Sequence, residues 1–133
     1  MPSSDYPSLM PLGNGFAATV PSAILKAVAW TESGWRQYTR RGTPLVSFDF
    51  GYGIMQVTTG MAGAFGSLIG SLDPVTQSRV ASEYVFNIGY GARMLTQMFA
   101  ALPQIGSGDP SIAENWYDAL WAYNGWGWVN NPN

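Results

Sequence analysis

The sequence predicts a mostly α-helical single domain, and three observations carry that expectation. Apolar residues make up 47% of the 133-residue chain and charged residues only 11%, a balance that supports a packed core and argues against disorder. Three segments repeat apolar residues at helical spacing. No internal repeat or linker divides the chain, and its length suits one domain that buries roughly two-thirds of its unfolded surface.

Residues 1–19, rich in Pro, Ser and Gly, hold no sustained period and read as an extension, or a loop leading into a domain over 20–133. Pro21 stands where a helix favours its first residue, and the helical pattern runs from Ser22 to about Ser33, with Gly34 as its stop. Residues 35–53 read as an irregular loop with a very short β element near 45–50, Leu45–Phe48 being the strand-like part. A helical turn is expected from Ile54, a short helix over Met61–Ile69, and a chain turn at Asp73-Pro74. The longest helix is expected from Val75 or Gln77 to Leu102, with Tyr84, Ile88, Gly91, Leu95 and Met98 on one face. After the loop 103–111, a last helix spans about Ile112 to Asn124 and ends at Gly125.

Missing residue types narrow the chemistry. With no Cys there is no disulfide, thiol nucleophile or thiolate metal site, and with no His there is no imidazole base or ligand. A formal charge of −2, from six basic and eight acidic residues, lacks the basic excess of a nucleic-acid binder. No apolar run is long enough to span a membrane, and Met1–Pro11 lacks the pattern of a secretory signal. Acid–base work near neutral pH therefore falls to carboxylates, Lys or Tyr.

One carboxylate occupies an unusual position. Leu25, Val28, Ala29 and Glu32 are spaced i, i+3, i+4, i+7, so Glu32 continues an apolar stripe at the C-terminal end of its helix, while Lys26 and Trp30 point away. Burial and the negative helix end both disfavour its charged form, which suits a general acid. The same pattern also fits a Glu that closes the edge of the core and reaches water. In the last helix Trp116, Ala119, Leu120 and Tyr123 repeat the spacing, aiming the Tyr123 hydroxyl inward, where it needs a partner. The Gly51-Tyr52-Gly53-Ile54-Met55-Gln56 segment lets backbone come close to something, but it lacks the Lys-Ser/Thr of a phosphate loop and the third Gly of a dinucleotide fingerprint.

These segments together resemble the soluble lytic transglycosylase (SLT) domain, a lysozyme-like fold. Three blocks carry the likeness in the family's order: Ala29-Trp30-Thr31-Glu32-Ser33-Gly34-Trp35; Ser47 to Val57, with Ile54 in the Leu position of Gly-Leu-Met-Gln; and Ala122-Tyr123-Asn124-Gly125. Asn87-Ile88, Gly91-Ala92 and Leu95 are similar to the family's intervening helix, so the likeness runs from about Val20 to Gly125. Two departures stand out: Phe50-Gly51 followed by Tyr52 replaces the usual Gly-Ala, and Trp126-Gly127-Trp128 replaces a small-residue continuation.

The resemblance implies an extracytoplasmic enzyme that cleaves the β-1,4 bond between N-acetylmuramic acid and N-acetylglucosamine in peptidoglycan strands, as a monomer and with no metal or organic cofactor. It implies Glu32 as acid and then base, and Ser47, Tyr52, Met55, Gln56, Tyr123 and Asn124 as substrate-binding or positioning residues. Substrate assistance by the N-acetyl group would let one carboxylate suffice where most glycosidases use two. A goose-type-like muramidase remains the alternative, with Asp49 as a second acid if it faces Glu32 across room for a water, roughly 6.5–9.5 Å; Asp49 equally fits a solvated loop. A non-catalytic glycan-binding module is the third reading, with Tyr52, Trp126 and Trp128 as stacking rings. Arg36, Arg40 and Arg41 could meet wall carboxylates or lie in a solvated loop.

Overall fold

The first helix, α1 (Ser22–Ser33), forms where the apolar spacing predicts it, and Pro21 precedes its first residue, the Pro21 carbonyl accepting from Ile24 N and Leu25 N. Ile24, Leu25, Val28 and Ala29 face the core, whereas Trp30 is exposed on the opposite side. Gly34 ends the helix in the left-handed conformation, its N–H returning to the Trp30 carbonyl while Trp35 N donates to the Ala29 carbonyl. The computed structural model describes residues 10–12, 16–18, 20–48, 50–58 and 72–125. The expected helix over Met61–Ile69, Asp49, Trp126 and Trp128 lie outside them.

Among the described residues, two small antiparallel hairpins accompany the helices. Strands β1 (Met10–Leu12) and β2 (Phe16–Ala18) pair within the segment expected to lack regular structure. Strands β3 (Gly51–Tyr52) and β4 (Val57–Thr58) pair with Tyr52 opposite Val57. The helical turn expected from Ile54 is thus the reversal of this hairpin. The strand-like Leu45–Phe48 contributes a single bridge, Val46 to Tyr52. Gly53 and Gln56 both take positive φ, 67° and 48°, which turns the chain back before a helical repeat can start.

The long helix expected from 75 to 102 is broken in two. Helix α2 (Pro74–Ser82) ends at Glu83, which is extended (φ −113°, ψ 107°), and α3 (Tyr84–Ala101) follows. The break has a physical reason in the carbonyls it frees. Val80 O accepts from Gln37 Nε2 at 3.0 Å and Asn87 Nδ2 at 2.9 Å, Ala81 O from Gln37 Nε2 at 2.8 Å, and Ser82 O from the Tyr38 hydroxyl. A continuous helix would tie those three oxygens to Tyr84, Val85 and Phe86. The exposed Arg79–Glu83 ion pair at 3.1 Å would favour continuity but is worth under about 1 kcal/mol. Tyr84, expected on the buried face, is exposed beside the break.

The last expected helix starts as a 3-10 turn (Ala113–Trp116) and becomes α4 (Tyr117–Tyr123). Trp116 is fully buried, donates its indole N–H to Pro110 O at 2.8 Å, and lies 4.3 Å from the Phe99 ring centroid. The core gathers α1, the β3–β4 turn, α3 and α4, with Met55, Leu95, Val57, Val80 and Trp116 among its fully enclosed side chains.

Candidate active site

The β3–β4 turn is buried, so its backbone polar groups need partners. Four side chains supply them for Ile54 and Met55. Gln37 Oε1 accepts from Ile54 N at 3.1 Å, and Ser33 Oγ donates to Ile54 O at 2.8 Å. Asn87 Oδ1 accepts from Met55 N at 2.8 Å, and the Tyr123 hydroxyl donates to Met55 O at 2.6 Å. Asn87 Nδ2 also holds Tyr52 O at 2.7 Å. The end of α1, the loop after it, α3 and the end of α4 therefore all fasten one two-residue stretch.

This wiring fixes what surrounds Glu32. Glu32 is half-buried in the last turn of α1, and the next residue, Ser33, is buried and tied to Ile54. Across the same turn, burial pushes the Tyr123 hydroxyl well above the usual tyrosine range, and the charge of Glu32 pushes it further in the same direction. Glu32 and Tyr123 thus feel each other electrostatically. At neutral pH the phenol keeps its proton, which points to Met55 O.

The other expected site residues fall in different places. Ser47 is half-buried; its Oγ accepts from Gly51 N at 2.9 Å. Gln56, also half-buried, donates Nε2 to Gly53 O at 2.9 Å. Both converge on Gly51: a β-carbon there would stand 2.7 Å from Gln56 Oε1 and 2.8 Å from Ser47 Oγ, so a larger residue would push these two side chains aside. Tyr52 is half-buried, with its hydroxyl accepting from Gln77 Nε2 at 2.6 Å. Asn124 is exposed at the end of α4.

Met55, expected to wall the cleft, is fully buried. A β-carbon on Gly91 would lie 2.7–2.9 Å from Met55 Cβ, Cγ and Cε, so the Met55 side chain lies in the groove Gly91 leaves on α3. What Met55 gives the site is its backbone carbonyl. That is a correction to its expected role as a substrate-facing side chain, and its cause is the close approach of the turn to α3.

Sequence reasoning passed over Gln37. It lies in an aperiodic loop, and its only sequence signal is Gly53, where a β-carbon would sit 2.3 Å from Gln37 Oε1. Asn87 had a better signal: like Glu32, it is a polar residue on a buried helical stripe. Among the described residues no group of three or more Asp or Glu could hold a metal ion, and no helix is long and apolar enough to cross a membrane.

Comparison with curated proteins and with solved structures returned no match. The family model described as the transglycosylase SLT domain matches residues 14–131, a span that takes in the α1 end, the wired turn and the Tyr123-Asn124 segment, and the chain belongs to that family.

Proposed function

We propose that the protein is a lytic transglycosylase that cleaves the β-1,4 bond between N-acetylmuramic acid and N-acetylglucosamine of peptidoglycan, with Glu32 as acid and then base. The observation that carries this reading is that Ser33, the residue after Glu32, and the Tyr123 hydroxyl are tied to consecutive carbonyls of the wired turn, Ile54 O and Met55 O. The Tyr123 proton is engaged by Met55 O, so what this hydroxyl offers a nearby carboxyl is a lone pair. A lone pair accepts from a protonated acid and repels a carboxylate. It therefore favours the form of Glu32 needed to open the reaction.

In the first step the Glu32 proton passes to the glycosidic oxygen as the C1–O bond breaks, and the substrate's acetamido oxygen bonds to C1. In the second, the Glu32 carboxylate takes the proton of the C6 hydroxyl. The C6 oxygen then bonds to C1 and displaces the acetamido oxygen. The product is a 1,6-anhydro sugar, no water is consumed, and Glu32 ends protonated. Ser47, Gln56, Tyr52 and Asn124 are assigned to glycan binding, with Ser47 and Gln56 acting together at Gly51.

Digestion of purified peptidoglycan followed by mass analysis of the muropeptides tests this. Products one water lighter than hydrolysed ones are expected, and Glu32→Gln should abolish them. Water-retaining products would move the assignment to the hydrolase that uses Asp49. Full lytic activity of Glu32→Gln would remove Glu32 from the mechanism altogether.

A further inference from the structure

Neither the core nor the proposed chemistry uses the tip of the loop from Ser47 to Gly51. Its base is closed: Ser47 N donates to Gly51 O at 2.9 Å, Phe50 N to Ser47 O at 3.0 Å, and Gly51 N to Ser47 Oγ at 2.9 Å. From this base project Phe48, 98% exposed, and Phe50, 63% exposed. Phe50 holds φ at 63°, the left-handed region that a bulky side chain occupies only at a cost and a glycine occupies freely. Two solvent-facing rings on a closed loop, one at a strained position, do nothing for the fold. Such features cluster where something binds.

The position of the loop says what that is. Its base is the same Ser47–Gly51 pair that meets Gln56 Oε1, and Val46, just before it, bridges to Tyr52. Ser47 and Gln56, assigned above to glycan binding, therefore stand at the foot of the loop that carries the two rings. We propose that Phe48 and Phe50 form an aromatic platform that stacks on a pyranose ring of the glycan strand, flanking the bond that is cut. The proposal rests on the glycan reading of the site given above. The C–H faces of a β-1,4-linked pyranose are apolar and flat, and a phenyl face covers them without needing a hydrogen bond.

The test uses Phe48→Ala, Phe50→Gly and the double variant. Affinity is measured by calorimetry with a soluble β-1,4-linked N-acetylglucosamine oligosaccharide, and by co-sedimentation with insoluble peptidoglycan. Each variant should bind about fivefold to tenfold more weakly, as expected for uncovering part of one ring. Phe48→Ala should leave Tm unchanged, and Phe50→Gly should not lower it, because glycine relieves the left-handed strain. Unchanged affinities would overturn the platform, as would a fall in Tm that parallels the fall in binding. Loss of binding to anionic phospholipid vesicles with glycan affinity intact would overturn it too, making the tip a membrane contact. A wild-type protein that binds glycan but never cleaves it sinks the cleavage reading and leaves the platform standing. Wild-type cleavage with unaltered KM in the double variant sinks the platform alone. A wild-type protein that neither binds nor cleaves sinks both.

Discussion

Asn87→Leu removes the most heavily used polar side chain of the core. Asn87 is fully buried and makes three hydrogen bonds, to Met55 N at 2.8 Å, Tyr52 O at 2.7 Å and Val80 O at 2.9 Å. Val80 O would keep Gln37 and Tyr52 C=O its place opposite Val57 in the hairpin, but Met55 N–H would be stranded and Tyr52 O would lose its Asn87 donor. A stranded buried donor costs about 1–3 kcal/mol and a lost hydrogen bond about 0.5–1.5 kcal/mol, so the loss is about 2–4 kcal/mol. That is a large share of the roughly 5–15 kcal/mol typical of a domain, and at about 3–5 °C per kcal/mol for a chain of this length it corresponds to a fall of roughly 6–20 °C in Tm. Urea unfolding followed by circular dichroism measures it. Asn87→Asp gives an independent check. It keeps the acceptor for Met55 N but places a carboxylate oxygen against two carbonyls, which raises its folded pKa above the unfolded one. Its stability relative to wild type should be highest in acid and fall as pH rises through that folded value. A loss under about 1 kcal/mol for Asn87→Leu, or an Asn87→Asp variant indifferent to pH, would refute the assigned role of this side chain.

Two further predictions concern the same turn. Gly91→Ala places a methyl group 2.7–2.9 Å from three Met55 carbons; overpacking of about 1–3 kcal/mol should outweigh a helix-propensity gain of about 1 kcal/mol. Met55→Ala removes two of those contacts, so a double-mutant cycle should show coupling above about 0.5 kcal/mol, and strict additivity would count against the packing described. Tyr123 carries an alkaline signature: its folded pKa lies above that of a free tyrosine, about 10, because of burial and then the charge of Glu32. Its contribution to stability is intact below pH 10 and is lost as pH rises above it, at about 1.4 kcal/mol per pH unit. Urea midpoints between about pH 10 and 11.5 should fall less steeply in Tyr123→Phe than in wild type.

Much of this was legible in the sequence because helical burial is periodic. The stripe Leu25, Val28, Ala29 placed α1 and put Glu32 at its end, and Ile88, Leu95 and Met98 placed the body of α3 but not its start. The site is harder to read because side chains fasten backbone there, and such bonds have no period. Gln37 could not be found from spacing, since its partners at Ile54, Val80 and Ala81 lie 17, 43 and 44 residues away. The same bonds explain the misplaced elements. The Glu83 break releases carbonyls that Gln37, Tyr38 and Asn87 use. The turn at Ile54 looked helical because Ile54, Met55 and Val57 are all buried, while the positive φ at Gln56 that closes the hairpin has no mark in the sequence. Met55 read as a cleft residue from its motif alone; only Gly91 across the gap shows that its side chain turns inward.

Tyr123→Phe is the sharpest test of how the proposed site divides its work. The Tyr123 proton is held by Met55 O at 2.6 Å, which leaves only oxygen lone pairs facing the rest of the site. On the proposed mechanism one such pair accepts from Glu32 and keeps it protonated until the glycosidic oxygen takes the proton. Once that proton is transferred, the same lone pair faces a carboxylate, and the repulsion makes the carboxylate a stronger base towards the C6 hydroxyl. One oxygen thus helps both steps, and neither contribution is felt by bound substrate before the reaction. The variant should therefore lose kcat, by about tenfold for a hydrogen bond of about 1.4 kcal/mol, with KM little changed. Stability should fall as well, because Met55 O loses its donor inside the protein. The two effects separate cleanly: the stability loss follows from the bond to Met55, and only the kcat loss reports on Glu32. A Tyr123→Phe protein that is less stable yet turns over at the wild-type rate would leave Tyr123 a fastening for the turn and nothing more.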